Sequence, residues 1–206
     1  MDNKYELIYE GKAKKVFTVS HFEKDEINRH FGESNKVEVI YNGVPNGFYP
    51  QPVEKIGAIQ VKYQLPENFI FFLGNTAPKK NLTGMLKAYA NYRQLSSNPL
   101  PIVIAEINEK ELSKYLDSIE ESSLIDHIYL TGYVNQNDLP ALYSAADLFM
   151  YPSLRESFGI PIIEAMICGT PVITSNSSSM PEIGNVHAEY IEPTNPISIA
   201  TKMTEV

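Results

Sequence analysis

Residues 148–175 read LFMYPSLRESFGIPIIEAMICGTPVITS and contain a strand, a helix and a second strand in close succession. Leu148–Tyr151 is a short apolar run typical of a buried strand, and Val172–Thr174 repeats that pattern. Pro161 suits the first turn of a helix, where its missing N–H costs nothing. Gly169 suits a left-handed cap at the end of that helix, and a proline soon after it prevents continuation. The stretch therefore predicts a β–α–β unit with parallel strands and a right-handed crossover.

The same alternation continues on both sides of this stretch. Helical patterns, with apolar residues three and four positions apart, separate further apolar runs, and one such helix follows the capping candidate Asn81. The additional predicted strands are Phe69–Leu73, Pro101–Ala105, Ile128–Leu130 and Ala188–Ile191. Because strands that alternate with helices form parallel sheets, we predict an α/β fold with a doubly wound parallel sheet.

The first 50 residues do not fit that sheet. Residues 16–41 resemble a strand, a helix and a second strand, a unit with too little surface to form its own core. Residues 42–52, NGVPNGFYPQP, contain three prolines and two glycines, which is typical of a hinge. We therefore predict two parts. Residues 1–44 are the tail of a preceding domain with its hinge, and residues 45–206 are the α/β domain, cut before its last helix or helices.

The composition restricts the class of partner and the compartment. The chain has 17 basic and 25 acidic side chains and a net charge of −8, whereas nucleic-acid backbones need clustered lysine and arginine, so we expect no nucleic-acid partner. The single cysteine, Cys168, excludes a disulfide framework. The sequence shows no signal-like segment and no apolar run long enough to span a bilayer. We predict a cytoplasmic location, with peripheral attachment to the inner face of the membrane as an option for the full-length protein.

In open α/β sheets, ligands bind beyond the carboxyl ends of the strands, and three segments of this chain fall there. The first is Gly74–Asn81, GNTAPKKN. Its glycine lets the backbone approach a ligand, and Lys79 and Lys80 beside a helix N-terminus favour an anion such as a diphosphate. A lysine pair in a loop is more often simply solvated, so this segment alone leaves both interpretations open.

The second segment surrounds the predicted start of the helix quoted above. The N–H groups of Phe158, Gly159 and Ile160 lack helical partners there and favour phosphate, helped by the helix dipole. Glu156 and Glu164 flank these groups, and their carboxylates suit the hydroxyl groups of a sugar. The alternative is that the first glutamate only complements the helix dipole and the second is solvated. The second, however, lies in a strongly apolar helix, which argues for a specific role.

The third segment is Leu130–Val134, LTGYV, which ends the third predicted strand of the α/β domain. A glycine followed by an apolar residue lets a flat base lie on the backbone at Tyr133 and Val134. An ordinary turn explains the spacing equally well.

Residues 131–182 resemble the signature region of the family 4 retaining glycosyltransferases, which have the two-domain GT-B architecture. Residues 151–166, YPSLRESFGIPIIEAM, match the E-x₇-E motif of that family with its surroundings. The match continues in CGTPVITS at 168–175 and MPE at 180–182, and residues 40–44 resemble the crossing from the family's first domain into its second. The resemblance implies a Rossmann-like GT-B C-terminal domain that binds a nucleoside-diphosphate sugar.

The resemblance also implies a role for each candidate residue. Glu156 matches the first glutamate of the motif, which lies near the hydroxyls of the transferred sugar, and we predict it as the catalytic residue. Glu164 matches the second glutamate, which binds the ribose hydroxyls, and Lys80 matches the lysine that neutralises the donor diphosphate. The other predicted donor-binding residues are Gly74, Asn75, Lys79, Tyr133, Val134, Phe158, Gly159 and Ile160.

The chain departs from the family pattern in two ways. Many members carry an arginine directly after the glycine of the first segment, where this chain has Asn75, so Lys79 would supply the second positive charge. Such enzymes are also usually much longer, with an acceptor-binding domain that precedes the donor-binding domain. We expect that N-terminal acceptor domain to be missing, and this chain alone to be inactive or nearly so.

The resemblance implies retaining transfer of a sugar to an acceptor hydroxyl, on a glycan or a lipid-linked acceptor. No D-x-D pair occurs, and the histidines and Cys168 lack ligand spacing, so we expect no metal and no cofactor besides the UDP- or GDP-sugar donor. Two alternatives stay open. One is a non-catalytic nucleotide-sugar-binding module or subunit, and the other is a sugar-nucleotide epimerase of GT-B shape.

Overall fold

The computed structural model describes residues 13–206, so the first twelve residues of the predicted segment 1–44 lie outside the described part. The strands are β1 Val16–Thr18, β2 Val37–Val39, β3 Ile70–Leu73, β4 Ile102–Ala105, β5 Ile128–Gly132, β6 Leu148–Tyr151, β7 Val172–Ser175 and β8 Glu189–Ile191. The helices are α1 His21–Phe31, α2 Val53–Tyr63, α3 Leu82–Leu95, α4 Glu109–Ser118, α5 Leu139–Ala145, α6 Ile160–Ile167, α7 Met180–Gly184 and α8 Pro196–Glu205. Within residues 13–206, every helix is too short or too polar to cross a membrane.

The main sheet has six parallel strands in the order β5-β4-β3-β6-β7-β8. Counted within this domain, the order is 3-2-1-4-5-6, which is the doubly wound arrangement that the alternating pattern predicts. The prediction of the fold is confirmed. The order reverses between β3 and β6, where Ile70 pairs with Leu148, so the chain leaves these two strands in opposite directions. A crevice at their carboxyl ends follows from this topology.

Both faces of the sheet are covered, which explains why its strands are continuously apolar. Phe72 and Met150 face the core formed with α3, α4 and α8, whereas Phe71 and Phe149 face the core formed with α2, α5 and α6. All four side chains are almost completely buried. Burying each side chain of this size contributes about 1.5–3 kcal/mol, so the central strands β3 and β6 form a firm base for the loops that follow them.

The strand–helix–strand unit forms a separate two-stranded parallel sheet, β1 with β2, connected by α1. None of the residues of α1 is fully buried, which agrees with the expectation that this unit cannot form a core alone. The unit contacts the main domain through Ser20, whose hydroxyl donates to the carbonyl of Ser157 at 2.7 Å. The same oxygen accepts from the N–H of Glu23 and so caps α1.

Two features of the fold differ from the expectations. The helix Val53–Tyr63 was not predicted. Asn81 occupies the predicted cap position before α3, but it has a left-handed backbone (φ 60°) and makes no capping bond with its side chain. Its amide instead donates to the carbonyls of Pro152, at 3.0 Å, and Pro193, at 2.7 Å. Gly84 leaves room for this arrangement, since a Cβ there would lie 2.3 Å from the Asn81 oxygen.

Candidate functional site

The loops after β3 and β6 meet at the point where the strand order reverses. The carbonyl of Lys79 in the first loop accepts a hydrogen bond of 2.8 Å from the N–H of Leu154 in the second loop. Asn81 reinforces the contact through its bond to the carbonyl of Pro152. The first two segments singled out in the sequence therefore lie side by side in the crevice where α/β folds bind their ligands.

The centre of the crevice is a cluster of two lysines, a glutamate and a tyrosine. The ammonium group of Lys80 lies 2.8 Å from Oε1 of Glu156 and 2.8 Å from the hydroxyl of Tyr151. That hydroxyl lies 3.0 Å from the same carboxylate oxygen, and the ammonium of Lys79 lies 3.3 Å from Oε2. The structure thus brings together both predicted diphosphate lysines and the predicted catalytic glutamate.

Burial and pairing act in opposite directions on Glu156. Burial alone would raise the pKa of this carboxyl, but its hydrogen bond and Coulombic attraction to Lys80, together with Lys79 and Tyr151, outweigh burial and lower the pKa below its ordinary value. The pKa of Tyr151 is raised, first by burial and then by the charge of Glu156. At neutral pH the cluster therefore holds a carboxylate, two ammonium groups and a neutral phenol.

Glu164 lies one turn inside α6, and its side chain is buried. The hydroxyl of Tyr143 donates to its carboxylate at 2.9 Å. Burial raises the pKa of Glu164, and the bond from Tyr143 offsets this only in part. A buried carboxylate with spare acceptor positions is suited to bind vicinal hydroxyl groups. The charge of Glu164 also raises the pKa of Tyr151, as that of Glu156 does.

The backbone of the loop after β6 is fixed by serine hydroxyls. Ser179, which is fully buried, donates to two carbonyls of the loop. The hydroxyl of Ser178 accepts from the N–H of Glu156 in the same loop. The bonds to carbonyls run from Ser20 to Ser157, from Ser175 to Ser153, from Ser177 to Leu154, and from Ser179 to Glu156 and Phe158, at 2.6–3.1 Å. The loop that carries Glu156 is therefore held in one conformation from several sides.

The N-terminus of α6 is also shaped by a glycine. Gly159 has φ 102°, a left-handed conformation that favours glycine, and a Cβ at this position would lie 3.0 Å from the side chain of Ile162. Phe158 before it is buried, and its ring packs against Tyr41. The predicted amide groups at Phe158, Gly159 and Ile160 thus lie at the start of α6, on the loop that carries Glu156.

The third segment lines a cavity of about 320 Å³ at the carboxyl ends of β4 and β5. Asn75, Tyr133 and Glu106 all line it, so it adjoins the loop that carries the lysines. Tyr133 is 82% exposed, which leaves its ring free to cover a ligand. The side chain of Val134 is buried in the core, so only its backbone is available to a base.

Gly74 lies at the tightest point of the first loop. A Cβ at this position would lie 2.8 Å from the ring of Phe72 and 3.5 Å from Cβ of Lys80. Asn75 follows, and its side-chain oxygen accepts from the N–H of Ala77. The glycine therefore permits the close turn, and the asparagine stabilises it.

A larger cavity, of about 530 Å³, lies between the hinge and α5, away from this cluster. It is lined by Phe48, Gln51, Lys55 and Asp138 among others, and none of its lining residues comes from the loops after β3 and β6. Among residues 13–206, no group of three or more metal-ligating side chains converges. We therefore take the crevice as the candidate site.

Four contributors to the site were not assigned a role from the sequence: Tyr151, Tyr143, Glu106 and the serines at 175–179. Tyr151 ends a predicted strand next to the reversal point, and this position is the one signal that could have indicated it. The run of serines has no motif of its own, because its role depends on loops that are distant in sequence.

Comparison with known proteins identifies the family of the chain. Residues 58–206 match the family model described as Glycosyl transferases group 1. The chain belongs to this glycosyltransferase family. The resemblance to a glycosyltransferase family found in the sequence is thereby confirmed.

Curated members of the glycosyltransferase family include mannosyltransferases. The chain is 35% identical, over 174 residues, to the O-antigen chain mannosyltransferase B of Escherichia coli, a match of 83% of this chain and 45% of that protein. It is 32% identical, over 183 residues, to the O-antigen chain mannosyltransferase RfbU of Salmonella typhimurium, a match of 88% of this chain and 48% of that protein. The chain thus spans about half the length of these relatives.

Solved glycosyltransferases share the fold. A glycosyltransferase from Rickettsia africae superimposes with a TM-score of 0.83 at 23% identity, over 100% of this chain and 57% of that one. Anabaena Alr3699/HepE, crystallised with UDP and glucose, superimposes with a TM-score of 0.78 at 20% identity, over 94% of this chain and 53% of that one. At these identities the likeness establishes the GT-B type of fold.

Proposed function

We propose that the crevice binds a nucleoside-diphosphate sugar and that this chain is the donor-binding half of a retaining glycosyltransferase. The observation that supports this most directly is the convergence of Lys79, Lys80 and Glu156 where the sheet order reverses. Two ammonium groups and a helix N-terminus suit a diphosphate, and carboxylates suit hydroxyl groups. The remainder of the complete enzyme would supply the acceptor site.

The chemistry of this half would be electrostatic. When the bond between the sugar and the diphosphate breaks, negative charge develops on the phosphate oxygens. Lys80, fixed by Tyr151, and the amides at the start of α6 would stabilise that charge, and preorganised donors of this kind usually supply the largest part of such catalysis. Glu156 would hold hydroxyls of the transferred sugar, and Glu164 those of the ribose. In the complete enzyme, the sugar would pass to an acceptor hydroxyl with retention at the anomeric carbon.

The relatives suggest the class of sugar. Because these two curated relatives are named mannosyltransferases of O-antigen chains, we propose a mannosyl or similar hexosyl donor and a glycan or lipid-linked acceptor. The cavity at Asn75, Glu106 and Tyr133 would receive the base. A chain that only binds nucleotide sugars would show the same crevice, so binding and turnover need separate measurements.

Isothermal titration of the 206-residue chain with UDP, GDP and ADP, and with UDP-glucose and GDP-mannose, tests the proposal. We expect one nucleoside diphosphate to bind and its parent nucleoside to bind far more weakly, since the diphosphate carries the main contacts. Lys80→Ala should weaken that binding roughly tenfold or more, because a hydrogen bond to a charged group contributes about 1.5–3 kcal/mol.

Lys87→Ala is the matched control, because Lys87 is an exposed lysine on α3, the helix that directly follows Lys80. Its affinity should equal that of the wild type. The proposal is overturned if none of the nucleotides binds, or if Lys80→Ala and Lys87→Ala bind equally well. Donor hydrolysis by the chain would distinguish a catalytic half from a binding module.

A further inference from the structure

Three acceptor positions of the Glu156 carboxylate are occupied by partners at the cationic end of the crevice. Oε1 accepts from Lys80 and from Tyr151, and Oε2 is paired with Lys79. A donor diphosphate needs the same two ammonium groups. The hydroxyls of a sugar need the same carboxylate oxygens. Both ligand groups therefore meet partners that are already bound to each other.

We propose that Glu156 and the donor diphosphate compete for Lys80 and Lys79, and that Tyr151 is the positioning residue that keeps Lys80 in place through the exchange. This inference rests on the proposed function, since it concerns how the same crevice takes its donor. When the diphosphate pairs with the lysines, the carboxylate is released towards the hydroxyls of the sugar. The exchange replaces the hydrogen bonds between the lysines and Glu156 by two sets, one between the lysines and the diphosphate and one between Glu156 and the sugar.

Lys80 decides the exchange more than Lys79 does. The side chain of Lys80 is 18% exposed and that of Lys79 is 56% exposed, so water screens the second ion pair far more than the first. An ammonium group has three N–H donors. Lys80 donates two of them, to Glu156 and Tyr151. Only one N–H donor is therefore left for a diphosphate unless the carboxylate moves.

Tyr151 is suited to remain in place during the exchange. It is 2% exposed, ends the central strand β6, and its ring packs against Phe149 with centroids 5.9 Å apart. Its hydroxyl binds Lys80, and the ammonium also lies 4.8 Å from the centre of its ring, within the range of a cation–π contact. A neutral side chain does not compete with the diphosphate. It holds the lysine whichever anion is bound.

The two variants Glu156→Gln and Tyr151→Phe should change nucleotide affinity in opposite directions. Glu156→Gln removes the competing charge and should tighten binding of UDP or GDP about threefold to tenfold, as expected for a unit charge removed from this partly screened site. Tyr151→Phe removes the hydroxyl that holds Lys80 and should weaken binding about threefold to tenfold. A merely structural role for both residues would weaken binding in both.

Matched controls exist for each change. Glu189→Gln removes one negative charge from a pair with Lys202 outside the crevice. Tyr89→Phe removes a buried hydroxyl that donates to the carbonyls of Leu100 and His127 on the other face of the sheet. Both should leave the affinity unchanged. Glu156→Ser serves as a second charge-removing variant if Glu156→Gln folds poorly, as judged by circular dichroism.

The affinity for the sugar-bearing donor provides an independent test. In the wild type, the sugar-bearing donor should gain affinity relative to the free diphosphate through the released carboxylate, and Glu156→Gln should reduce that gain at least threefold. The proposed competition is overturned if neither Glu156→Gln nor Glu156→Ser binds the free nucleoside diphosphate more tightly than the wild type does. Unchanged or tighter binding by Tyr151→Phe would overturn its positioning role. If the wild type binds no nucleoside diphosphate, the proposed function itself fails.

Discussion

The carboxylate of Glu182 in α7 accepts hydrogen bonds from the backbone N–H groups of His21, at 2.8 Å, and Phe22, at 3.1 Å. It also accepts one from the hydroxyl of Tyr41 at 2.7 Å. The first N–H groups of a helix lack partners within the helix, and a negative charge there complements the helix dipole. One side chain of the main domain therefore completes the N-terminus of α1 and fixes the strand–helix–strand unit on the six-stranded domain.

Replacing Glu182 should loosen that unit. We expect Glu182→Ala to lower the free energy of unfolding by about 1 kcal/mol, the usual cost of losing a helix cap, and to speed amide exchange within His21–Phe31. Denaturation followed by circular dichroism and hydrogen exchange would measure the two effects. Glu67→Ala, at an exposed position, is the control. Unchanged exchange in α1 would show that the contact does not hold the unit.

The same carboxylate predicts a pH dependence. Burial alone would raise the pKa of Glu182, but the N–H of His21, the hydroxyl of Tyr41 and the N–H of Phe22 outweigh burial and lower the pKa below its ordinary value of 4.5. A lowered pKa stabilises the fold above the unfolded-state pKa, and the stabilisation is lost as pH falls through the folded-state value.

The difference in stability between the wild type and Glu182→Gln should therefore be complete at neutral pH and should shrink as pH falls below the ordinary value of 4.5 and through the lowered folded-state pKa. At low pH the wild-type carboxyl is protonated, so both side chains are uncharged. Denaturant titrations at several pH values would measure the difference. A difference that stays constant from pH 7 to pH 3 would contradict the assignment.

Ser179 should matter for both stability and donor binding. Its buried hydroxyl donates to the carbonyls of Glu156, at 2.8 Å, and Phe158, at 2.9 Å. Ser179→Ala leaves these carbonyls without that donor, so we expect a loss of about 1–3 kcal/mol in stability and a weaker affinity for the nucleotide. Ser118→Ala, which removes an exposed hydroxyl bound within α4, should do neither. Thermal unfolding would measure the stability, and titration with the nucleotide would measure the affinity. If Ser179→Ala loses stability but keeps its full affinity, Ser179 has only a structural role.

Much of this molecule could be predicted from sequence because the relevant signals are local. The strands from β3 to β7 are short apolar runs between glycines, prolines and helical patterns, and the structure places them where those runs are. Gly169 has the left-handed backbone that was predicted for the end of α6. The loop that carries Glu156 follows β6 at the point where the sheet order reverses, so its place could be predicted, whereas the shared site for Glu156 and Glu164 stays a prediction.

The features that sequence did not reveal depend on distant contacts. The helix Val53–Tyr63 has a weak pattern, because Val53 and Val61 are apolar yet 79% and 80% exposed. Asn81 has the residue type of a cap, but carbonyls 71 and 112 positions away take its amide. Tyr151 had only the pattern of a strand end, since its partner Lys80 lies 71 positions away. Local propensity gives way to tertiary contacts in each case.

We expect the Glu164 carboxylate to lower the stability of the fold at neutral pH and to strengthen nucleotide binding. Burial raises the pKa of this carboxyl, and the hydrogen bond from Tyr143 offsets this only in part. A raised pKa means that the charged form is disfavoured in the folded protein, so the fold loses stability as pH rises from the ordinary value of 4.5 through the folded-state value. Glu164→Gln should therefore raise the melting temperature at pH 7, while its amide oxygen still accepts from Tyr143.

The gain in stability should disappear near pH 4, where the wild-type carboxyl is also protonated. At pH 7 the same variant should bind the nucleoside diphosphate roughly tenfold more weakly, because it loses a charged hydrogen bond to the ribose. A 2′,3′-dideoxynucleoside diphosphate lacks the hydroxyls in question and should bind the wild type and Glu164→Gln equally. If the variant loses affinity for both nucleotides alike, Glu164 does not bind the ribose, and its burial in α6 has a structural origin.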